Sequence, residues 1–340
     1  MAHMLDMSKG FAAIAYAGEL PWHGFGKRLE ADATLDQWRI AAGLDYTVEA
    51  KELFFFNDLN NETEHLDGTV ALQRRDTGAI LSTVSDKYKI VQPGEVLEFY
   101  REIAKAEGFS IETAGALSGG RRVWALARIG DSFELYGRDK TDGFVLFATS
   151  YDGTFATQAR WTGVRVVCNN TLTAAIPHTG DSVSDGGADV YKVPHSVEFD
   201  IQKAHGKLGL QREAWEAWKR HMEALARFTI SPEQALEFFT MVAGNGDDIV
   251  RNDDSGKVVR LPEPNRVVKN LVNAYLNGPG AELPSAKGTA FGALNAVTFY
   301  QDHLAPSNNN GTRWDSATFG IGARRKARAV KLLGELMLAA

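Results

Sequence analysis

Residues 69–108, TVALQRRDTGAILSTVSDKYKIVQPGEVLEFYREIAKAEG, change periodicity part-way along. The flanking runs TVALQRR and AILSTVSDKYKIV are rich in β-branched and apolar side chains and meet at the turn pair Thr77-Gly78, so the pattern predicts a β-hairpin. Pro93 then opens a segment in which Val96, Leu97, Tyr100 and Ile103 recur at helical spacing, which predicts an amphipathic helix. Strands interrupted by one helix point to an α+β domain on an antiparallel sheet.

The same signals extend in both directions. Upstream, AKELFFFN at 50–57 reads as a strand; downstream, 109–117 and 121–129 flank Gly119-Gly120 as a second hairpin, and 143–149 and 154–168 supply two more strands. Beyond residue 206 the pattern turns helical, with Leu208, Trp215, Trp218, Met222 and Leu225 on one broad face. Ser231-Pro232-Glu233-Gln234 has the form of a capping box with proline at the first helical position. A helix over 264–277 ends in Asn277-Gly278-Pro279, where glycine is expected in the left-handed C′ conformation, and helices near 288–303 and 320–339 close the chain. The expected fold class is α+β: an antiparallel, hairpin-rich sheet with one or more packed helices, followed by a helical C-terminal half. The polar stretch HTGDSVSDGGADVYKVPHS places a loop or linker at 181–196, between a sheet-rich region 1–180 and a helical region 197–340. The helices either pack on the sheet as one domain or stand apart.

Of 340 residues, 44% are apolar and 24% charged, which supports a substantial core. A net charge of −6 argues against a surface that coats nucleic acid indiscriminately, while leaving room for a local basic groove. One cysteine cannot form an internal disulfide, so a reducing cytosol is the expected compartment. No secretory signal pattern is present, and no apolar window reaches the roughly 18–20 residues that a spanning helix needs, so no membrane partner is expected.

That cysteine, Cys168, alternates with Val164 and Val166 and is expected in the core. No metal or cofactor is expected. Asn252, Asp254 and Glu263 fit an EF-hand loop at its first, third and last positions, but Gly256 falls one place early and Lys257 takes the glycine position, so 244–263 reads as a solvated loop. Arginines are more informative. Gln158, Arg160 and Thr162 share one strand face, and a bulge at Thr162-Gly163 would let Arg165 and Asn169 continue it. Arg74, Arg75, Arg121 and Arg122 lie at hairpin strands; if those strands are neighbours, a guanidinium-rich face suited to phosphates results. Pairing with carboxylates is the competing expectation. Asn169 and Asn170 either touch a ligand or cap a helix beginning at Thr171. Arg324, Arg325, Lys326, Arg328 and Lys331 form the basic face of the last helix, and Trp22-His23-Gly24 reads as a compact turn.

Three stretches, MAHMLDMSKG…AYAGELPWHGFG, SYDGTFATQARWTGVRVVCNNTL and GTAFGALNAVTFYQDH, resemble a phage- and plasmid-related family classed as a domain of unknown function, family 932. The strand–hairpin–helix order is also similar to that of single-strand-annealing proteins. These resemblances imply a mobile-element protein of the bacterial host cytoplasm that binds DNA, holding or annealing single strands in recombination or replication. Its binding residues would be Arg160, Arg165, Arg121, Arg122, Arg74, Arg75, Asn169 and Asn170, its partner single-stranded nucleic acid, with self-association left open. A non-catalytic role is favoured. The alternatives are an enzyme on nucleotides or nucleic acid, using Asp152 and a histidine such as His23, and a phage protein that binds a host defence protein.

Overall fold

The computed structural model describes residues 5–18, 26–107, 109–165, 170–173, 190–200, 202–204, 212–244, 265–308 and 310–339. Its strands are β1 (Ile14–Ala17), β2 (Lys27–Leu29), β3 (Val48–Asn57), β4 (Glu62–Arg74), β5 (Ile80–Ser85), β6 (Ser110–Leu117), β7 (Arg122–Leu135), β8 (Asp139–Ser150), β9 (Thr157–Arg165), β10 (Asn170–Thr173) and β11 (Val190–Val193). The helices are α1 (Leu35–Ala41), α2 (Pro93–Glu107), α3 (Arg212–Arg227), α4 (Pro232–Ala243), α5 (Arg266–Asn277), α6 (Ala290–Phe299), α7 (Asn310–Phe319) and α8 (Ile321–Ala339). A larger sheet runs β10-β9-β8-β7-β6-β1-β2, with β11 also on β9, and a smaller sheet runs β3-β4-β5. β1 and β2 pair in parallel; β1–β6, β6–β7, β9–β10 and β9–β11 pair antiparallel, as do both pairs of the smaller sheet. The α+β class read from the sequence is the class observed.

The chain divides into two compact units, and β7, β8 and β9 contribute residues to both: unit 1 is 1–130, 144–160 and 190–210, and unit 2 is 131–143, 161–189 and 211–340. In unit 1 the helical spacing after Pro93 buries Val96, Leu97, Phe99 and Tyr100. The Tyr100 hydroxyl lies 2.7 Å from the Ala125 carbonyl and 3.0 Å from that of Val145, and the Phe99 ring stacks on Phe147 at 4.5 Å. Small residues let strands approach: a Cβ on Gly115 would meet the Ala13 carbonyl at 2.6 Å. The boundary stretch contains β11, which pairs with β9 through Val190↔Arg160 to Val193↔Thr157, while 174–189 lie outside the described residues.

In unit 2 the expected apolar face of α3 is present, with Trp215, Trp218, Met222 and Leu225 buried. Trp215 stacks on Trp218 at 4.9 Å and on Trp161 at 6.2 Å, and its indole N–H donates to Asp131 at 2.7 Å, where Lys219 also pairs at 2.9 Å. The capping box at Ser231 forms in both directions with Gln234. α6 is buried on every side and runs into a π-helical turn, Tyr300–Leu304.

Four local expectations are corrected. Gly278 is extended (φ −69°), not left-handed; glycine is needed because a Cβ would meet the Ala274 carbonyl at 2.4 Å. Thr162-Gly163 makes no bulge against β10: β9 and β10 keep continuous register from Arg165↔Asn170 to Thr162↔Thr173, and Gly163 makes room for the Trp218 ring, which a Cβ would meet at 2.4 Å. Thr171 lies in strand β10, not at a helix start. Lys326 does not share the solvated face of α8; it is buried and pairs with Asp302 at 2.8 Å.

Candidate functional site

Two hairpin turns meet in unit 1 and bring together the arginines at 74–75 and 121–122. Gly119 accepts from Arg74 through its carbonyl at 3.1 Å, and Arg121 Nε donates to the Leu81 carbonyl at 2.7 Å. The turn between β6 and β7 is tight: Ser118, Gly119 and Gly120 all have positive φ (54°, 71° and 89°). Gly120 is held against the Arg74 guanidinium, which a Cβ there would meet at 2.7 Å.

Arg74 is wholly buried. Its guanidinium donates to Asp6 and, through Nε and Nη2, to Asp76 at 3.0 and 2.8 Å, and it sits 3.8 Å over the Tyr46 ring. Burial alone would favour loss of its proton; the bonds to Asp76 and Asp6 outweigh that, and the guanidinium is held above its ordinary pKa. Arg122 pairs with Asp152 at 3.3 Å, both largely buried. Arg75 stands 75% exposed with Glu49 at 3.7 Å, and Arg121 is exposed. These turns therefore gather four arginines among four carboxylates.

The remaining predicted residues lie elsewhere. All of 157–163 is buried, so Gln158, Arg160 and Thr162 do not form a solvent face; Arg160 is 8% exposed, and burial pulls its guanidinium down to about 10. Arg165 and Asn170 are register partners at the end of the β9–β10 pair. Cys168 and Asn169 lie outside the described residues, as do Trp22-His23-Gly24 and 245–264. Asp152 accepts from the Thr154 amide at 3.1 Å and from its hydroxyl, which uses it to shape the Asp-Gly-Thr turn. His195, the described histidine in that neighbourhood, lies 3.1 Å from the Phe155 carbonyl and stacks on Tyr88 at 4.3 Å; burial holds its imidazole below the ordinary value. Among the described residues no three His, Cys, Asp or Glu side chains are placed to hold a metal ion.

The feature that sequence reasoning passed over is the β3–β4 hairpin. Phe54, Phe55 and Phe56 are 59%, 44% and 58% exposed, and Leu59 at the tip is 96% exposed. Three successive strand residues cannot share one face, so FFF at 54–56 was itself a signal that apolar surface would point away from any single core. The tip is built rather than slack. Asn57 and Asn60 side chains accept from the Leu59 and Glu62 amides at 3.0 and 3.1 Å, and both donate to Glu64 at 2.7 Å, which holds that carboxyl below its usual range. Asn61 takes the left-handed conformation (φ 55°) that asparagine tolerates. Phe54 meets His65 edge-on at 5.3 Å across the pair.

Fold and geometry together define an α+β protein with an aromatic β-arm and an internally paired arginine cluster. A family model described as a domain of unknown function (DUF932) matches residues 80–335, and the chain belongs to that family. The matched span starts at Ile80, so the N-terminal stretch that contributed to the resemblance, and the arm, precede it. No curated protein and no solved structure matches the chain.

Proposed function

We propose that this chain works by binding another polypeptide through the β3–β4 arm. The observation that carries the reading is the row of three exposed phenylalanines on an ordered hairpin. Burying one such side chain is worth roughly 1.5–3 kcal/mol, so the arm holds several kcal/mol of unused apolar surface. With Phe54 and Phe56 on one face and Phe55 on the other, the arm presents exposed aromatic surface on both sides, and concentrated exposed apolar surface marks interaction sites. The test is a photo-crosslinking amino acid at Phe55 in the full chain, expressed in its host cells. A discrete polypeptide adduct, a second copy of this chain included, is expected, and it should disappear when Phe54 and Phe56 are changed to serine. Absence of any polypeptide adduct would overturn the reading.

A second reading, single-stranded nucleic acid, is favoured by one placement: Arg75 and Arg121 stay exposed where the two turns meet. They can reach phosphates without giving up the ion pairs that occupy Arg74 and Arg122. Two phosphate contacts imply a slope of log affinity against log salt of roughly −1.4 for single strands. Arg75→Ala with Arg121→Ala should remove most of that slope. Oligonucleotide binding untouched by the double substitution would take these residues out of the reading.

A further inference from the structure

The arm exposes a backbone edge as well as side chains. β3 is the end strand of the order β3-β4-β5 among the described residues. At its inner end the edge is closed: the Val48 amide donates to the Gln92 side-chain carbonyl at 2.9 Å, and Gln92 Nε2 donates back to the Val48 carbonyl at 3.0 Å. Val48 thus turns both backbone groups away from β4. In an antiparallel pair that orientation repeats every second residue, so Ala50 and Glu52, in unbroken register with Leu72 and Val70, turn theirs the same way. Past Glu52 the irregularity falls on β4, where Leu53 alone spans residues 66–69, between the pairs Glu52↔Val70 and Phe54↔His65. β3 itself runs on to Asn57 without an inserted residue. No proline blunts it, and its charges lie beside an exposed aromatic run rather than in place of one.

The charge of the arm selects the partner. From Glu49 to Asp67 the acids are Glu49, Glu52, Asp58, Glu62, Glu64 and Asp67, against the single cation Lys51 with His65 beside it. A second copy would bring two acidic arms together; a basic strand would meet opposite charge and could lay guanidinium or ammonium groups on the phenyl faces. We propose that an extended segment of another protein, alternating lysine or arginine with apolar residues, adds as a fourth strand to the outer edge of β3 from Ala50 onward. Main-chain bonds would supply affinity there, and the phenylalanines and carboxylates the choice of sequence.

This inference rests on the reading of the arm as a polypeptide-binding element, and its test separates the two. Labelled (Lys-Val)4 and (Glu-Val)4 peptides are titrated against the full chain by fluorescence anisotropy at low and moderate salt. The basic peptide is expected to bind at least about tenfold tighter than the acidic one and to weaken as salt rises. Glu52→Pro removes an outward N–H without touching a bond to β4, and should cost at least about tenfold in binding with the melting temperature unchanged. Ala50→Pro gives the same test at the neighbouring outward position. Equal binding of the two peptides, or wild-type binding by both proline variants, would overturn strand addition by a basic segment. Phe55 adducts made only of two copies of this chain, with no peptide binding, would assign the edge to self-association and keep the arm reading alone. Loss of both peptide binding and every Phe55 adduct would overturn both.

Discussion

Arg74→Met is expected to destabilise the protein by about 3–5 kcal/mol, measured by urea unfolding, because it strands Asp6 as an uncompensated charge in a fully buried site. The guanidinium does three jobs at once. It neutralises Asp6 and Asp76, it holds the Gly119 carbonyl of a turn with three successive positive-φ residues, and it fills the space over Tyr46. Methionine keeps much of the volume, so lost packing contributes little and the unpaired carboxylate dominates. Adding Asp6→Asn should therefore recover part of the loss, a coupling that a double-mutant cycle reads directly. A loss below about 1 kcal/mol in Arg74→Met would show that water reaches Asp6.

Lys326→Met is expected to cost a similar amount, about 3–5 kcal/mol, by breaking its buried ion pair with Asp302. Asp302 sits in the π-helical turn after α6, where the widened ladder turns Gln301 and Asp302 into the interior beside α8. Replacing both partners, Lys326→Met with Asp302→Leu, should recover part of the loss, since neither charge of the pair is then left facing an apolar group. If the double variant is as unstable as the single one, the pair is fixing the π turn and not only balancing charge.

These two arginine and lysine positions also mark where the sequence was and was not legible. Periodicity placed α2 and α3 because each has one buried face, and the capping residues at Ser231 announced a helix start that the structure contains. Periodicity fails where both faces are buried. Around Arg160 every side chain from 157 to 163 is buried, so polar alternation there does not mark a water-facing side. In RRKAR, a charged residue at the right helical angle turns inward to meet a carboxylate 24 residues away, which composition cannot announce. Gly163 carried a different message from the one spacing suggested: the glycine answers a tryptophan on another element. Arg74, Arg75, Arg121 and Arg122 do come together, but through two turns rather than on one sheet face, since β4 and β7 belong to different sheets. Asp76 was within two residues of Arg74 in the sequence, whereas Asp6 and Asp152 were not legible as partners because only the fold brings them near.

The stacked indoles of unit 2 give the molecule an optical consequence. With Trp215 and Trp218 parallel within 22° at 4.9 Å and Trp161 next in line, their electronic transitions couple, and the ammonium of Lys219 lies 5.9 Å from one ring. Such a stack produces a split circular dichroism signal that vanishes as soon as the rings part. Because all three tryptophans belong to unit 2, that signal follows the melting of one unit.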